Sequence, residues 1–398
     1  MSSRLRWVSL ALACLLASPL APAAAAGLFL RLSPGLLLQA LLARMPLAPL
    51  AALGGVVLLL AFLRERWFCR NACPTGALCD AASACRRRRR GWEGVPRVNE
   101  ALALAGLAAA VIGAPVLAIL DPLALFHGAW GVVPLGLSAA AWAGAAGLAA
   151  ILLLSLLFPR LWCARLCPLG GLQVLLASLH RAVRREGPAG TADAPPPPAP
   201  APALARRRIL AAASGVAAGL AARPLAGSGD PAVLRPPGSQ PGARFTTACC
   251  RCGTCVRVCP THILRPALNP RDPWGLLAPQ VDFSRSYCLP SCTACGAACP
   301  SGAIAPFAAA DKARLVIGTA AIRLDACLLA NGKECNRCVA ACEFLAIRVV
   351  GDRFESVPEI EVPRCVGCGA CIVACPVGAI DVRPAAAGPA TALDARGG

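Results

Sequence analysis

The sequence predicts a two-part fold: a membrane all-α bundle of four or five transmembrane helices, then a smaller α+β part. Three observations predict it. The 398 residues are 57% hydrophobic, with only 15% charged, and the mean hydropathy is +0.63. Apolar runs of membrane length occupy the first half and are missing after Thr246. Seventeen of the 24 cysteines fall between Cys249 and Cys375. So apolar a chain is neither disordered nor an ordinary soluble domain. One tyrosine and 5% aromatics leave little with which to stack bases, which speaks against a nucleic-acid partner.

The elements follow in order. Residues 1–30 hold Arg4 and Arg6, an apolar run from Trp7 to Ala26, and a small-residue tail. This is either a first transmembrane helix or a cleaved signal peptide. Residues 31–186 form the membrane domain, with apolar runs at 47–63, 101–120 and 135–158. Residues 187–205 carry Pro195 to Pro198 and alternating Ala-Pro, and read as an extended linker. Residues 206–228 open on Arg206-Arg207-Arg208 and continue through the weakly apolar stretch 211–222. The cysteine-rich domain covers 246–384.

Charge sets the topology. The net charge is +19, and Lys312 and Lys333 are the only lysines. The arginine-rich segments 64–97 and 159–208 flank apolar runs and are expected on the cytoplasmic face, with the arginine-poor loop 121–134 outside. His127 and Asp121 lie in that loop. Either could accept a proton near a membrane surface, although a satisfied loop histidine is the plainer reading.

Four cysteine motifs stand in series. They are Cys249-x2-Cys252-x2-Cys255-x3-Cys259, Cys288-x3-Cys292-x2-Cys295-x3-Cys299, Cys327-x7-Cys335-x2-Cys338-x3-Cys342 and Cys365-x2-Cys368-x2-Cys371-x3-Cys375. All but the third end in Pro. The bacterial ferredoxin run has this form: three thiolates in a tight loop hold one cluster and the fourth reaches the partner cluster. A proline after the fourth cysteine suits the first turn of a helix. Each motif is followed by a repeat that ends in Ile-Leu or Ala-Ile, which opens a short strand. Sixteen ligands suffice for four [4Fe–4S] clusters in a double ferredoxin-like domain. Zinc ribbons pair separate C-x2-C knuckles and do not need the fourth cysteine. The spacing leaves open whether motifs pair in order or nested. Cys250 is a spare thiol, and His262 is a surface or outer residue.

The membrane domain carries its own repeat. Cys69-x3-Cys73-Pro74 and Cys163-x3-Cys167-Pro168 each follow a Trp and an apolar run. These four cysteines are read as a further cluster site or as a redox-active thiol set. Cys79 and Cys85 lie near, and Cys14 reads as a small buried hydrophobe.

On these residues the chain resembles a fusion of two families. The paired C-x3-C-P half resembles NapH-type membrane ferredoxins, which are quinol dehydrogenase membrane components related to the membrane parts of NosR-like proteins. The half from Arg206-Arg207-Arg208-Ile209-Leu210 onward resembles NapG/MauM-type four-cluster ferredoxins. The wide gap from Cys327 to Cys335 belongs to that resemblance. NapH-type proteins carry their own ferredoxin motifs after the last helix, where this chain has its linker.

The resemblance implies a multi-pass protein of the bacterial inner membrane. Electrons would pass from the membrane quinone pool, with quinol as substrate, through four [4Fe–4S] clusters to a periplasmic reductase or dehydrogenase. The arginine element resembles a twin-arginine signal, which would place the folded ferredoxin domain in the periplasm and leave the C-x3-C-P loops cytoplasmic. Without export, 209–222 is a surface helix and the ferredoxin stays cytoplasmic. The alternative function is an accessory role in maturing a periplasmic metalloenzyme. The sequence shows no Walker A loop, His-rich metal motif or dinucleotide fingerprint. That points to an electron-transfer subunit with no catalytic residues of its own.

Overall fold

The computed structural model describes residues 2–18, 21–22, 25–85, 95–131, 138–185, 202–227, 233–352 and 356–384. Residues 187–201 of the expected linker and the arginine block 86–90 lie outside them.

The first half is helical. It runs through α1 (Ser2–Ala17), α2 (Pro34–Leu42), α3 (Leu53–Leu63), α4 (Trp67–Asn71) and α5 (Pro74–Ala84). It continues through α6 (Asn99–Val111), α7 (Pro122–Gly131), α8 (Ala139–Leu157), α9 (Pro168–Arg185) and α10 (Pro202–Gly227). Among the described residues, two helices are long and apolar enough to cross a membrane, at Ala139–Leu157 and Ala205–Ala226. The other expected runs make shorter helices, Pro49–Leu63 and Asn99–Val111. The second stops early because Gly113 turns left-handed at φ 82° and Pro115 lacks an N–H to continue the helix. Residues 202–205, expected in the linker, already belong to α10.

The segment 121–134 was expected to be an external loop. Residues 132–134 of it lie outside the described residues; over 122–131 the chain forms α7, which folds back into the bundle, and the Thr75 hydroxyl donates to the Pro122 carbonyl at 2.7 Å. Asp121 caps α7, accepting from the Leu123 N–H at 2.9 Å and the Ala124 N–H at 3.2 Å.

The helical half is built as two copies that exchange partners. Helix α5 of the first C-x3-C-P copy packs on α8 of the second, and α9 of the second packs on α3 of the first. Arg66 and Arg160, each three residues before the first cysteine of its copy, are both left-handed (φ 57° and 62°). Arg66 donates to the Cys163 carbonyl, and Arg160 pairs with Asp80 at 2.9 Å. Helix α1 closes the first copy through an Arg6–Asp80 pair and a Ser9 hydroxyl bonded to the Ala72 carbonyl.

Helix α10 lies along α6. An added Cβ at Gly215 would fall 2.1 Å from the Ala105 carbonyl, so only glycine allows this approach. One end of α10 holds an Arg208–Glu100 pair at 3.4 Å. At the other end the Ala226 carbonyl accepts from the Thr246 hydroxyl. The helix thus carries the chain from the helical half to the cysteine-rich half.

That half is α+β, as expected. Short helices α11 (Ala243–Ala248), α12 (Thr254–Val258), α13 (Ala294–Ala298), α14 (Arg337–Ala340) and α15 (Ala370–Ala374) alternate with three-residue to four-residue pairings of short strands. The strands are β1 (Leu264–Pro266), β2 (Pro279–Val281), β3 (Thr319–Ile322), β4 (Ile347–Val350), β5 (Val357–Ile360) and β6 (Ile380–Arg383). They pair antiparallel as β1 with β2, β3 with β6, and β4 with β5. The four repeats keep one turn. Three residues after each fourth cysteine, His262, Gly302, Leu345 and Gly378 are all left-handed. Then Leu264, Ile347 and Ile380 enter strands, while Ile304 bridges to Ser239.

The two halves meet through named contacts. Arg31 donates to the Ala297 carbonyl and Arg257 to the Leu16 carbonyl, the latter at 2.7 Å. Gly302 and Gly128 permit close approach to Pro46 and Arg251.

Candidate metal centres

The fourth cysteine of each motif is the key to the pairing, because it sits at the C-terminal end of its short helix, turned toward the neighbouring loop. Cys299 stands with Cys249, Cys252 and Cys255 around one cavity. Cys259 stands with Cys288 and Cys292, and Cys295 with those two. Cys375 joins Cys327, Cys335 and Cys338 around a second cavity. Cys342 joins Cys365, Cys368 and Cys371. The motifs therefore pair in order, first with second and third with fourth, which decides the alternative that spacing left open. The two pairs touch where the Cys288 N–H donates to the Cys368 carbonyl at 2.8 Å. The sets form a line, beginning at the first motif and passing through the second and fourth to the third.

These residues fit cubane clusters. Among the described residues, no three His, Cys, Asp or Glu side chains close on a single ion. A zinc ligand set would do so, whereas thiols spread round a cavity suit a cube of iron and sulfide. Burial pushes the Cys249 thiol up to about 11 and the Cys295 and Cys371 thiols up to about 12. Buried thiolates are costly alone and need the positive charge of bound metal beside them. Backbone donors are already aimed at sulfur: Ile304 N to Cys299 at 3.4 Å, Ala346 N to Cys342 at 3.3 Å, and Ala379 N to Cys375 at 3.2 Å.

One contributor escaped the motif reading. Lys312 is buried, and its Nζ donates to Cys288 Sγ at 3.3 Å and to the Cys292 carbonyl at 2.8 Å, over the ring of Phe307. Its rarity was visible, since the chain has only two lysines. Its partner, 24 residues away in sequence, was not. Cys250, the spare thiol outside the motif pattern, is buried, and its thiol hydrogen-bonds Cys252. His262 is exposed on its turn.

In the helical half the structure gathers Cys69, Cys73, Cys163 and Cys167. Cys73 and Cys167 each precede the proline that starts a helix, α5 and α9. The Gly76 N–H donates to Cys73 Sγ at 3.3 Å, and Gly170 does the same at Cys167. Two helix N-termini thus aim N–H groups and the positive ends of their dipoles at thiols. Across the copies, Gln173 Nε2 donates to Cys69 Sγ at 3.0 Å. Cys79, at the matching position of the first copy, shares a hydrogen bond with Cys163. The signal for this pair was in the sequence, as both stand six residues after the second cysteine of their copies. Cys85 is exposed, and Cys14 is half-buried against the core.

Asp121 is buried beside these thiols rather than on an outer surface. It accepts from the Ser33 hydroxyl at 2.6 Å and lines an apolar cleft with Gln39, Leu107, Leu117 and Leu169. The Gln39 Oε1 in that cleft is buried without a partner. His127 lies within α7, edge-on to Phe126, with its Nε2 buried and unpartnered. It is a core residue and not the loop residue that was expected. The apolar core that holds Phe68, Cys73, Phe126 and Cys167 also contains Cys250 and Cys252. The C-x3-C-P site and the first cluster set therefore share one core.

Two domain families match the chain. A 4Fe-4S binding domain matches residues 45–93 and 140–186, and a 4Fe-4S dicluster domain matches residues 332–379. Among curated relatives, the ferredoxin-type protein NapF of Escherichia coli (strain K12) is 35% identical over 150 residues, 37% of this chain and 82% of that protein. The methylamine utilization ferredoxin-type protein MauM of Methylophilus methylotrophus is 31% identical over 159 residues, 38% of this chain and 70% of that protein. The ferredoxin-type protein NapG of Escherichia coli (strain K12) is 30% identical over 179 residues, 41% of this chain and 74% of that protein. No solved structure matches.

Proposed function

Because the chain belongs to the ferredoxin-type 4Fe-4S proteins, we propose that it is a membrane-anchored electron conduit that draws on quinol and delivers to a periplasmic oxidoreductase. The observation that carries this reading is the unbroken line of thiol sets. It starts at Cys69, Cys73, Cys163 and Cys167, passes through the shared core to the set of Cys249, and runs on to the set of Cys327.

Each [4Fe–4S] cluster, when bound, supplies a one-electron carrier. The chain's own residues do the rest. The sixteen cysteines of the four motifs hold four clusters, and the C-x3-C-P cysteines hold a fifth. Lys312 and the strand-opening N–H groups place positive charge and donors at the sulfurs. The cleft of Asp121 and Gln39 is apolar enough for a quinol ring and keeps a carboxylate ready for a proton. α8 and α10 anchor the chain. The accessory-protein reading lacks an observation of its own.

The test is anaerobic reconstitution of the full chain in detergent, followed by a short-chain quinol. About sixteen irons should bind to the four motifs and about four more to the C-x3-C-P set, and quinol should bleach the visible absorption. Full iron content with no bleaching would remove the quinol role and leave the accessory one.

A further inference from the structure

An open cavity of about 540 Å³ lies at the joint of the two halves, outside every thiol set. It stands where α2 and α6 end. Leu42, Arg44 and Val111 line it from those ends, Arg223 from α10, and Arg244 and Thr247 from α11 of the cysteine-rich half. Its size is that of an ordinary small-ligand site. Among the described residues, no carboxylate lines it and three arginines do.

The arginines here differ from others in the helical half. Arg160, Arg181 and Arg208 pair with Asp80, Glu65 and Glu100. Among the described residues, Arg44, Arg223 and Arg244 form no ion pair. Arg244 is fixed in place, donating to the carbonyls of Ala43 at 3.2 Å and Arg44 at 2.9 Å, while its Nε is buried without a partner. Two large apolar side chains that line the cavity are also exposed, Leu42 at 39% and Val111 at 62%. An anion would answer the charge, and hydrocarbon would cover the apolar rim.

We propose that this cavity binds the phosphodiester headgroup of an anionic phospholipid, with its acyl chains along Leu42 and Val111. Arginine suits phosphate oxygens through its planar fork of donors. Because Arg44 and Arg223 come from the helical half and Arg244 from the cysteine-rich half, the lipid ties the two together. The inference shares with the proposed function only the seating of the helical half in a membrane.

The experiment uses the delipidated, cluster-loaded full chain and the double variant Arg44→Gln/Arg223→Gln. Arg244 is left intact because it holds α2. Native mass spectrometry measures retention of phosphatidylglycerol against phosphatidylcholine, and thermal shift measures inorganic phosphate. The expected result is a preference for phosphatidylglycerol of about tenfold or more, lost in the double variant, with no protection by inorganic phosphate. Equal retention of the two lipids, or an unchanged preference in the variant, would overturn the site. Equal protection by inorganic phosphate would overturn the lipid as its source. Incorporation into phosphatidylcholine nanodiscs reports membrane seating separately, and unchanged visible absorption of the variant shows that it has folded.

Discussion

At the scale of single residues, the chain spends its rare groups on sulfur. Lys312 is a buried ammonium that donates to the thiol sulfur of Cys288, one of the proposed cluster ligands. Replacing it with Met keeps the volume and removes the charge. The reduced state of that cluster, which carries the extra electron, loses its support. A charged hydrogen bond of about 1.5–3 kcal/mol corresponds to a midpoint potential more negative by about 65–130 mV; potentiometric titration of Lys312→Met checks this, and an unmoved potential would deny Lys312 that role. Leu345 is the converse case, 71% exposed and left-handed at φ 51°. The repeat places glycine at the matching positions 302 and 378. Leu345→Gly should therefore relieve about 1 kcal/mol of backbone strain, seen as slower cluster loss on mild heating. Faster loss would mean that the Leu345 side chain contributes more than its turn costs.

Among the elements, the exchange of helices between the two C-x3-C-P copies brings distant cysteines together. Helix N-termini at Cys73 and Cys167 meet because α5 leans on α8 and α9 on α3. Replacing both Cys73 and Cys167 by Ala should cost about four irons and leave the electron paramagnetic resonance signals of the other sets in place. Loss of all iron would show that the helical half is needed to fold the rest. The α6–α10 contact is a second element-scale test. Gly215→Val drives a side chain into the Ala105 carbonyl and should destabilise the bundle by about 1–3 kcal/mol, read from thermal aggregation in detergent.

The elements also show what the sequence could reveal. Cysteine spacing made the four motifs and the C-x3-C-P repeat legible because ligand geometry is local. The pairing of Cys259 with the second loop and of Cys342 with the fourth was not, since it depends on how short helices face one another. The loop reading failed at 122–131, where the chain is helical. Low arginine content there marked a segment away from the charged segments, but not whether it lies outside or folds inward as α7 does. Runs such as 101–120 were read as single spans because hydropathy does not register a turn at Gly113 and Pro115.

Taken whole, the molecule has arginine-rich segments at 64–97 and 159–208 in its helical half, and α10 leads from that half to the cysteine-rich half. Positive residues favour the cytoplasmic face. Residues 246–382 should accordingly be digested by protease added to intact spheroplasts. Protection until lysis would put the cysteine-rich half in the cytoplasm and turn its electrons toward a cytosolic partner.

The line of sets makes the most exposed claim, that electrons from the membrane reach every other cluster through the set of Cys249. The direct measurement is stopped-flow reduction of the Cys252→Ala/Cys255→Ala variant by quinol, beside reduction of the same sample by dithionite. The account predicts that dithionite still reduces the remaining clusters while quinol no longer reduces those of the Cys288, Cys365 and Cys327 sets. Quinol reduction of those sets at the unaltered rate would contradict it.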